Sequence, residues 1–333
     1  MSFERHNHRK KVLLCGATGF IGRNLLNHLR ANPDYQVYAT CHTKEPPDIL
    51  SEAEEVQWIK ADLTHKDDVN QAIQGKEIVI QAAATTSGSK EILSKPYYHV
   101  TDNAVMNALI FRSCHEKGVG HLIFFSCTIV YPDQGQRPLK ESDFNYQISE
   151  KYFGAGWTKV YHEKMCEFYS RMGPTKYTAI RHSNIYGPFD KFDFERSHVF
   201  GATVAKVMSS PPRGKIVVWG DGSEERDLLY VDDLIEFVEK AVSQQKTQFE
   251  LINVGAGEFI SVRHLVEKIV EHSGKDLEIE FDETKPTIPF HLRLNIDRAK
   301  TLYQWSPRTS LDEGIVKTLD WYRCHYPESQ RIA

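Results

Sequence analysis

Three glycines in the segment Gly16-Ala-Thr-Gly-Phe-Ile-Gly22 have the spacing of a backbone cradle for a pyrophosphate. Gly16, Gly19 and Gly22 permit a tight turn and a close approach of the main chain, with Thr18, Phe20 and Ile21 between them. The unpaired N–H groups of a helix start then face the anion. Other residues able to do chemistry are scattered: Ser126, Cys127 and Thr128 in one run, then Lys159, His198, Lys206, Arg226 and Arg293. An unperturbed histidine has its pKa near neutrality, so His198 is of a type able to carry a proton. It stands just before the apolar helical run 199–207, where a position beside a helix N-cap is the plainer reading. Cys127 reads as a small buried residue before it reads as a nucleophile.

The glycine segment needs a strand before it and a helix after it. Residues 11–15 are an apolar run, and Leu25, Leu26 and Leu29 give residues 23–31 a helical stripe. Extended runs at 36–40, 56–60 and 77–83 precede a helical stretch at 104–117 and the apolar run 121–126. Strands alternating with helices predict an α/β fold with a doubly wound parallel sheet of the Rossmann type. Residues 11–186, with 215–256 returning to the sheet, are expected to form the dinucleotide-binding domain. Residues 187–214 and 257–333 are expected to form a smaller C-terminal substrate-binding lobe, and 1–10 a disordered lead-in.

The end of the second strand usually carries a carboxylate for the ribose of NAD. Here no carboxylate precedes Glu45, while His42, Lys44 and Arg23 can meet a 2′-phosphate, so NADP is expected ahead of NAD. Asp62 and Leu63 end the third strand, where adenine contacts are made; a helix N-cap is the other reading of Asp62. Ala82 and Ala83 end the fourth strand and let its backbone run close to the cofactor.

The net charge of −4 gives no footprint for nucleic acid. No apolar run spans a bilayer, and no secretory signal is visible. The six cysteines contain no CxxC pair, which fits reduced thiols and a cytoplasmic setting. Asp232-Asp233 suits a helix N-terminus better than a metal site, and no metal is expected.

The chain resembles the extended short-chain dehydrogenase/reductase family, the NAD-dependent epimerases and dehydratases. The matching segments are GATGFIG at 16–22, Asp62-Leu63, Ala82-Ala83-Ala84, Asn103, SCTIVYP at 126–132, RHSNIYGP at 181–188, RDLLYVDD at 226–233, LINVGAGEFISVRHLV at 251–266 and LYQWSPRTSLDEGI at 302–315. Within that family, 184–206 and 217–233 are similar to the GDP-fucose synthase branch of epimerase/reductases. The resemblance implies a cofactor role for Asn103 and Lys159, acid–base work at a sugar carbon by His198, and substrate contacts from Asn184, Lys206, Arg226 and Arg293. It also implies a homodimer built on the helices after Asn103 and Gly156.

Two departures stand out. The family pairs Lys159 with a tyrosine four residues earlier, and here that position is Ala155. The hydroxyl residue four before the Val-Tyr turn is Cys127, and the branch's catalytic cysteine falls at Ile129. Tyr152 and Tyr161 lack the family spacing. A hydroxyl proton then needs Thr128, Ser126, Cys127, another tyrosine or water. The expected function is an NAD(P)-dependent epimerase, reductase or dehydratase acting on a nucleotide-diphosphate sugar, here a GDP-sugar. A pure keto-sugar epimerase and a catalytically silent nucleotide-sugar-binding protein are the alternatives.

Overall fold

The computed structural model describes residues 8–44, 55–85, 96–132, 137–194, 197–285 and 291–326. The chain opens with β1 (Lys10–Cys15), α1 (Phe20–Ala31), β2 (Tyr35–Cys41), β3 (Val56–Lys60), α2 (Lys66–Ile73), β4 (Ile78–Gln81), α3 (Pro96–Glu116) and β5 (His121–Cys127). It continues through α4 (Phe153–Ser170), β6 (Lys176–His182), β7 (Asn184–Tyr186), α5 (Val199–Ser209), β8 (Arg213–Trp219), β9 (Glu225–Arg226) and β10 (Leu228–Tyr230). The last part holds α6 (Val231–Gln244), β11 (Phe249–Val254), β12 (Ile260–Ser261), α7 (Val262–Ser273), β13 (Asp276–Asp282), α8 (Asp297–Tyr303) and α9 (Leu311–His325).

Seven parallel strands form the central sheet in the order β3-β2-β1-β4-β5-β6-β11. Successive strand residues enter opposite cores, because a strand alternates its side chains. Val12 and Leu14 pack with Leu25, Leu29, Ile80 and Ile123, whereas Leu13 and Cys15 pack with Val69, Ile73, Phe111 and Phe124. Both faces are covered, which is why these strands read as continuous apolar runs. The strand order reverses between β1 and β4. In such sheets the ligand crevice opens there, outside the C-terminal strand ends.

A third core joins Phe200 and Val204 of α5, Leu265 and Ile269 of α7 and Leu319 of α9. The parallel pair β8–β13 flanks it, with Ile216 opposite Ile279. Residues 215–219 belong to β8, which pairs with β13 in a separate sheet, whereas Leu229 of β10, α6 and β11 pack into the first core. Leu292, Leu294, Ile296, Tyr303 and Trp305 pack into the first core. The strand β1 starts at Lys10, opposite Tyr35, inside what the sequence suggested as lead-in.

Asp232 and Asp233 lie in the first turn of α6, where negative charge suits the helix dipole. Asp233 also fastens the chain end, accepting from the N–H groups of Arg308 at 2.9 Å and Thr309 at 3.1 Å. Trp305 donates its indole N–H to the Asp233 carbonyl at 3.0 Å. Among the described residues no helix is long and apolar enough to cross a membrane.

Candidate functional site

The glycine segment follows β1 and opens α1, and each glycine answers a different demand. Gly16 has φ +80°, and a Cβ there would lie 2.6 Å from the Ala83 Cα. A Cβ on Gly22 would lie 2.0 Å from the Gly16 carbonyl oxygen. These two are needed for packing: Gly16 lets β4's end run against the turn, and Gly22 seats the helix on it. A Cβ on Gly19 would meet only the Gly16 oxygen, at 3.4 Å. Gly19 is the N-cap of α1, is exposed, and has no side-chain cap. The space beside it and the uncapped N–H groups of the first turn suit a pyrophosphate, so the residues present fit a dinucleotide. Phe20 and Ile21 pack partly against the first core and hold the turn, while the Thr18 carbonyl accepts from Arg23 Nε at 3.2 Å.

His42 directly follows β2 and Asp62 follows β3, with His42 Nε2 3.6 Å from the Asp62 carboxylate. Asp62 is not the N-cap of α2; His65 is. Its carboxylate accepts from Thr64 N at 2.9 Å and Thr64 Oγ1 at 2.7 Å, and these bonds, with His42 and His65 nearby, hold its pKa below the usual value. Leu63 is buried in the second face of the sheet. Arg23 lies over the Phe189 ring, 5.8 Å from its centre. Asn103 commits its amide to the main chain: it accepts from Thr85 N and donates to Thr85 O, both at 3.0 Å. Its visible work is to fix the loop after β4, beyond Ala82 and Ala83.

The remaining candidate residues come from β5, β6, α4 and the start of α5. Lys159, two turns into α4, donates to the Phe125 carbonyl at 2.7 Å, and its burial lowers its pKa. Cys127 ends β5 directly opposite His182, the last residue of β6. Burial raises the Cys127 thiol pKa, which disfavours thiolate chemistry despite the Lys159 charge nearby. His198 is the N-cap of α5, without a side-chain cap bond. It is reached by solvent yet ringed by protein, and this desolvation, with the Lys191 and Arg226 charges, lowers its pKa. Arg226 lies on β9 and is itself desolvated.

Ser126 is drawn away from this group. It is fully buried and donates to Glu163 Oε1 at 2.6 Å. Glu163 is paired with Arg181 through two bonds, Nε to Oε1 at 2.9 Å and Nη2 to Oε2 at 2.7 Å. Ser126, a catalytic candidate on the sequence, commits its hydroxyl in this structure to a buried ion pair. Thr128 is buried in a single 3-10 turn beside Cys127.

Of the proposed substrate contacts, Asn184 lies on β7 and points its amide at the Asp227 carbonyl, 3.4 Å away. Lys206 donates to the Val217 carbonyl at 3.0 Å and lies 5.9 Å from the Trp219 ring. Arg293 lies over Phe259, 5.1 Å from its ring centre.

Three residues went unselected in the sequence. Trp219 is half exposed beside Lys206 and offers a flat face to a planar ligand. Tyr152 was set aside for its spacing, yet its hydroxyl lies within electrostatic reach of Arg226 and Cys127, and burial raises its pKa. His182 sits inside the quoted RHSNIYGP segment and lies within such reach of Lys159 and His198. Its position at the C-terminal end of a central strand was the available signal.

A doubly wound sheet with a glycine turn at its switch point and a lysine, histidines and an arginine at its C-terminal edge defines a dinucleotide-dependent enzyme. Residues 12–255 match the model of the NAD dependent epimerase/dehydratase family, and the chain belongs to that family. It is 25% identical to GDP-L-colitose synthase of Yersinia pseudotuberculosis, covering 94% of this chain and 97% of the relative. It is 27% identical to GDP-L-fucose synthase of Azorhizobium caulinodans, over 94% and 96%. Among solved structures, UDP-glucuronic acid 4-epimerase of Bacillus cereus, in complex with UDP-glucuronic acid and NAD, superposes with a TM-score of 0.82 at 26% identity, over 95% and 100%.

Proposed function

We propose that this enzyme acts as an NADP(H)- or NAD(H)-dependent epimerase/reductase on a nucleotide-diphosphate sugar, with a GDP-sugar as the expected substrate. The observation that carries the reading is Lys159 bonded to the Phe125 carbonyl beside the facing pair Cys127 and His182 at the C-terminal end of the sheet, with His198 in electrostatic reach of His182 and Arg226. The relatives named for GDP-sugars support the guanine nucleotide. His42 and Lys44, both exposed, support NADP ahead of NAD.

A bound nicotinamide supplies the hydride acceptor or donor. Lys159 would orient the adjoining ribose from the floor of the crevice. Lys206 and Arg226 would clamp the substrate diphosphate, and Trp219 would stack on its base. His198 would move a proton at the carbon beside the sugar ketone. Ala155 and Cys127 leave the reacting sugar oxygen without the family's two hydroxyl partners. A keto-sugar epimerase without net redox is the second reading, and a solvent-reached His198 in a chain with alanine at 155 favours it.

The test is incubation with GDP-, dTDP-, UDP- and CDP-sugars and their 4-keto forms in deuterated water with either cofactor. Deuterium entry at a ring carbon together with nicotinamide turnover supports the first reading. Deuterium entry alone supports the second, and neither signal with any sugar refutes both. Val105 of α3 and Tyr161 and Phe168 of α4 are exposed apolar residues that suit a homodimer face. A cytoplasmic setting fits six cysteines none of which forms a disulfide among the described residues.

A further inference from the structure

The site lacks the tyrosine at position 155, yet it carries an imidazole that the strand register sets opposite Cys127, the position of the family's hydroxyl partner. His182 and Cys127 are register partners at the C-terminal ends of β6 and β5. The His182 ring packs edge-on against Phe125, with ring centres 6.1 Å apart. The carbonyl of that same Phe125 receives the Lys159 ammonium. Lys159 and Ala155 are four residues apart on α4 and so share a helix face. The imidazole also lies within electrostatic reach of the Lys159 ammonium.

The state of the ring is also set. Nδ1 is 2.7 Å from the Ser183 carbonyl. A carbonyl only accepts, so Nδ1 carries the hydrogen and Nε2 keeps its lone pair. Among the described residues nothing is bonded to Nε2. Desolvation, with the Lys159 and His198 charges, pushes the pKa down to about 4, so the ring is neutral at pH 7. The charged and titratable groups that face it are Lys159 on α4, His198 at the start of α5 and the Cys127 thiol on β5.

We propose that His182 is a catalytic residue of this enzyme, its Nε2 exchanging the proton of the reacting sugar hydroxyl in the role left open by Ala155. The inference rests on the redox reading above. In the oxidising direction the O–H bond breaks and its proton passes to Nε2. The C–H bond of the same carbon breaks with its electron pair, and that hydride is taken by the oxidised nicotinamide. The carbon–oxygen double bond forms between them. In the reducing direction the protonated imidazole returns the proton as hydride arrives at the carbonyl carbon. The Nδ1–H bond to Ser183 holds the ring orientation throughout.

The experiment compares wild type with His182→Gln, His182→Ala and Tyr152→Phe. Cofactor dissociation constants and melting temperatures serve as folding controls. Both His182 variants are expected to lose about 10²–10⁴-fold in kcat, as for removal of a positioned acid–base group. KM should stay near the wild-type value. Added imidazole should restore part of the rate of His182→Ala only. Nitrogen-15 NMR of the cofactor-free wild type should show a neutral His182 with hydrogen on Nδ1, titrating far below an ordinary histidine. Unchanged kcat in His182→Gln overturns this role alone. So does a charged His182 at pH 7, or a loss of the same size confined to Tyr152→Phe. Absence of wild-type turnover with every nucleotide sugar overturns the proposed function, and this role with it.

Discussion

The Lys159 ammonium donates to the Phe125 carbonyl at 2.7 Å, tying the middle of α4 to the strand at the heart of the sheet. A charged donor is thus kept on the crevice floor although burial lowers its pKa. Lys159→Ala removes the donor. A hydrogen bond from a charged group contributes about 1.5–3 kcal/mol, so dinucleotide binding should weaken about 10- to 100-fold. Calorimetric titration with NADP and NAD checks this, and unchanged affinity would remove Lys159 from the cofactor site.

The three glycines should separate packing from binding. Gly22→Ala drives a methyl against the Gly16 carbonyl, and Gly16→Ala drives one against Ala83 at a positive φ. Overpacking of this kind costs about 1–3 kcal/mol, so both variants should melt earlier. Gly19→Ala has room in the protein and an extended backbone, with φ −85° and ψ 176°. It should keep its melting temperature and lose dinucleotide affinity. Thermal unfolding with and without cofactor distinguishes the two outcomes.

Ser126 and Glu163 provide a test of structural against catalytic duty. Ser126→Ala removes one neutral-to-charged bond, and Glu163 retains both bonds to Arg181. The expected loss is about 1.5–3 kcal/mol of stability with kcat nearly unchanged. Glu163→Gln leaves Arg181 buried without its charge partner, and about 3–5 kcal/mol should go. Urea unfolding gives both numbers. A collapse of kcat in a stably folded Ser126→Ala would return the serine to the reacting group.

Acid sensitivity should trace partly to His121. The ring is buried, bonded to Thr178 Oγ1 at 2.8 Å, and desolvation pushes its pKa down to about 4 from 6.5. Between those values the unfolded chain binds the proton and the folded chain does not. Its contribution is therefore present above pH 6.5 and is lost as pH falls through about 4. His121→Gln should flatten the fall in urea midpoint between pH 7 and pH 5. Equal slopes for variant and wild type would refute the assignment.

His42 bears on cofactor choice. His42→Ala should weaken NADP and leave NAD unchanged, as read by paired dissociation constants. An equal effect on both would make His42 only a partner of Asp62, 3.6 Å away.

The sequence by itself determined the alternating layers, the strand–glycine turn–helix at Gly16–Gly22 and the register of α4 that identifies Lys159 and Ala155. Those features depend on side chains close along the chain, where helix and strand periods decide who faces what. Only the tertiary structure decided that Ser126 closes a buried ion pair, that residues 215–219 join a second sheet, and that Asn103 braces Thr85. It alone set His182 beside Cys127. Such neighbours come from different strands and helices, and their meeting depends on sheet register and packing, which no local pattern specifies.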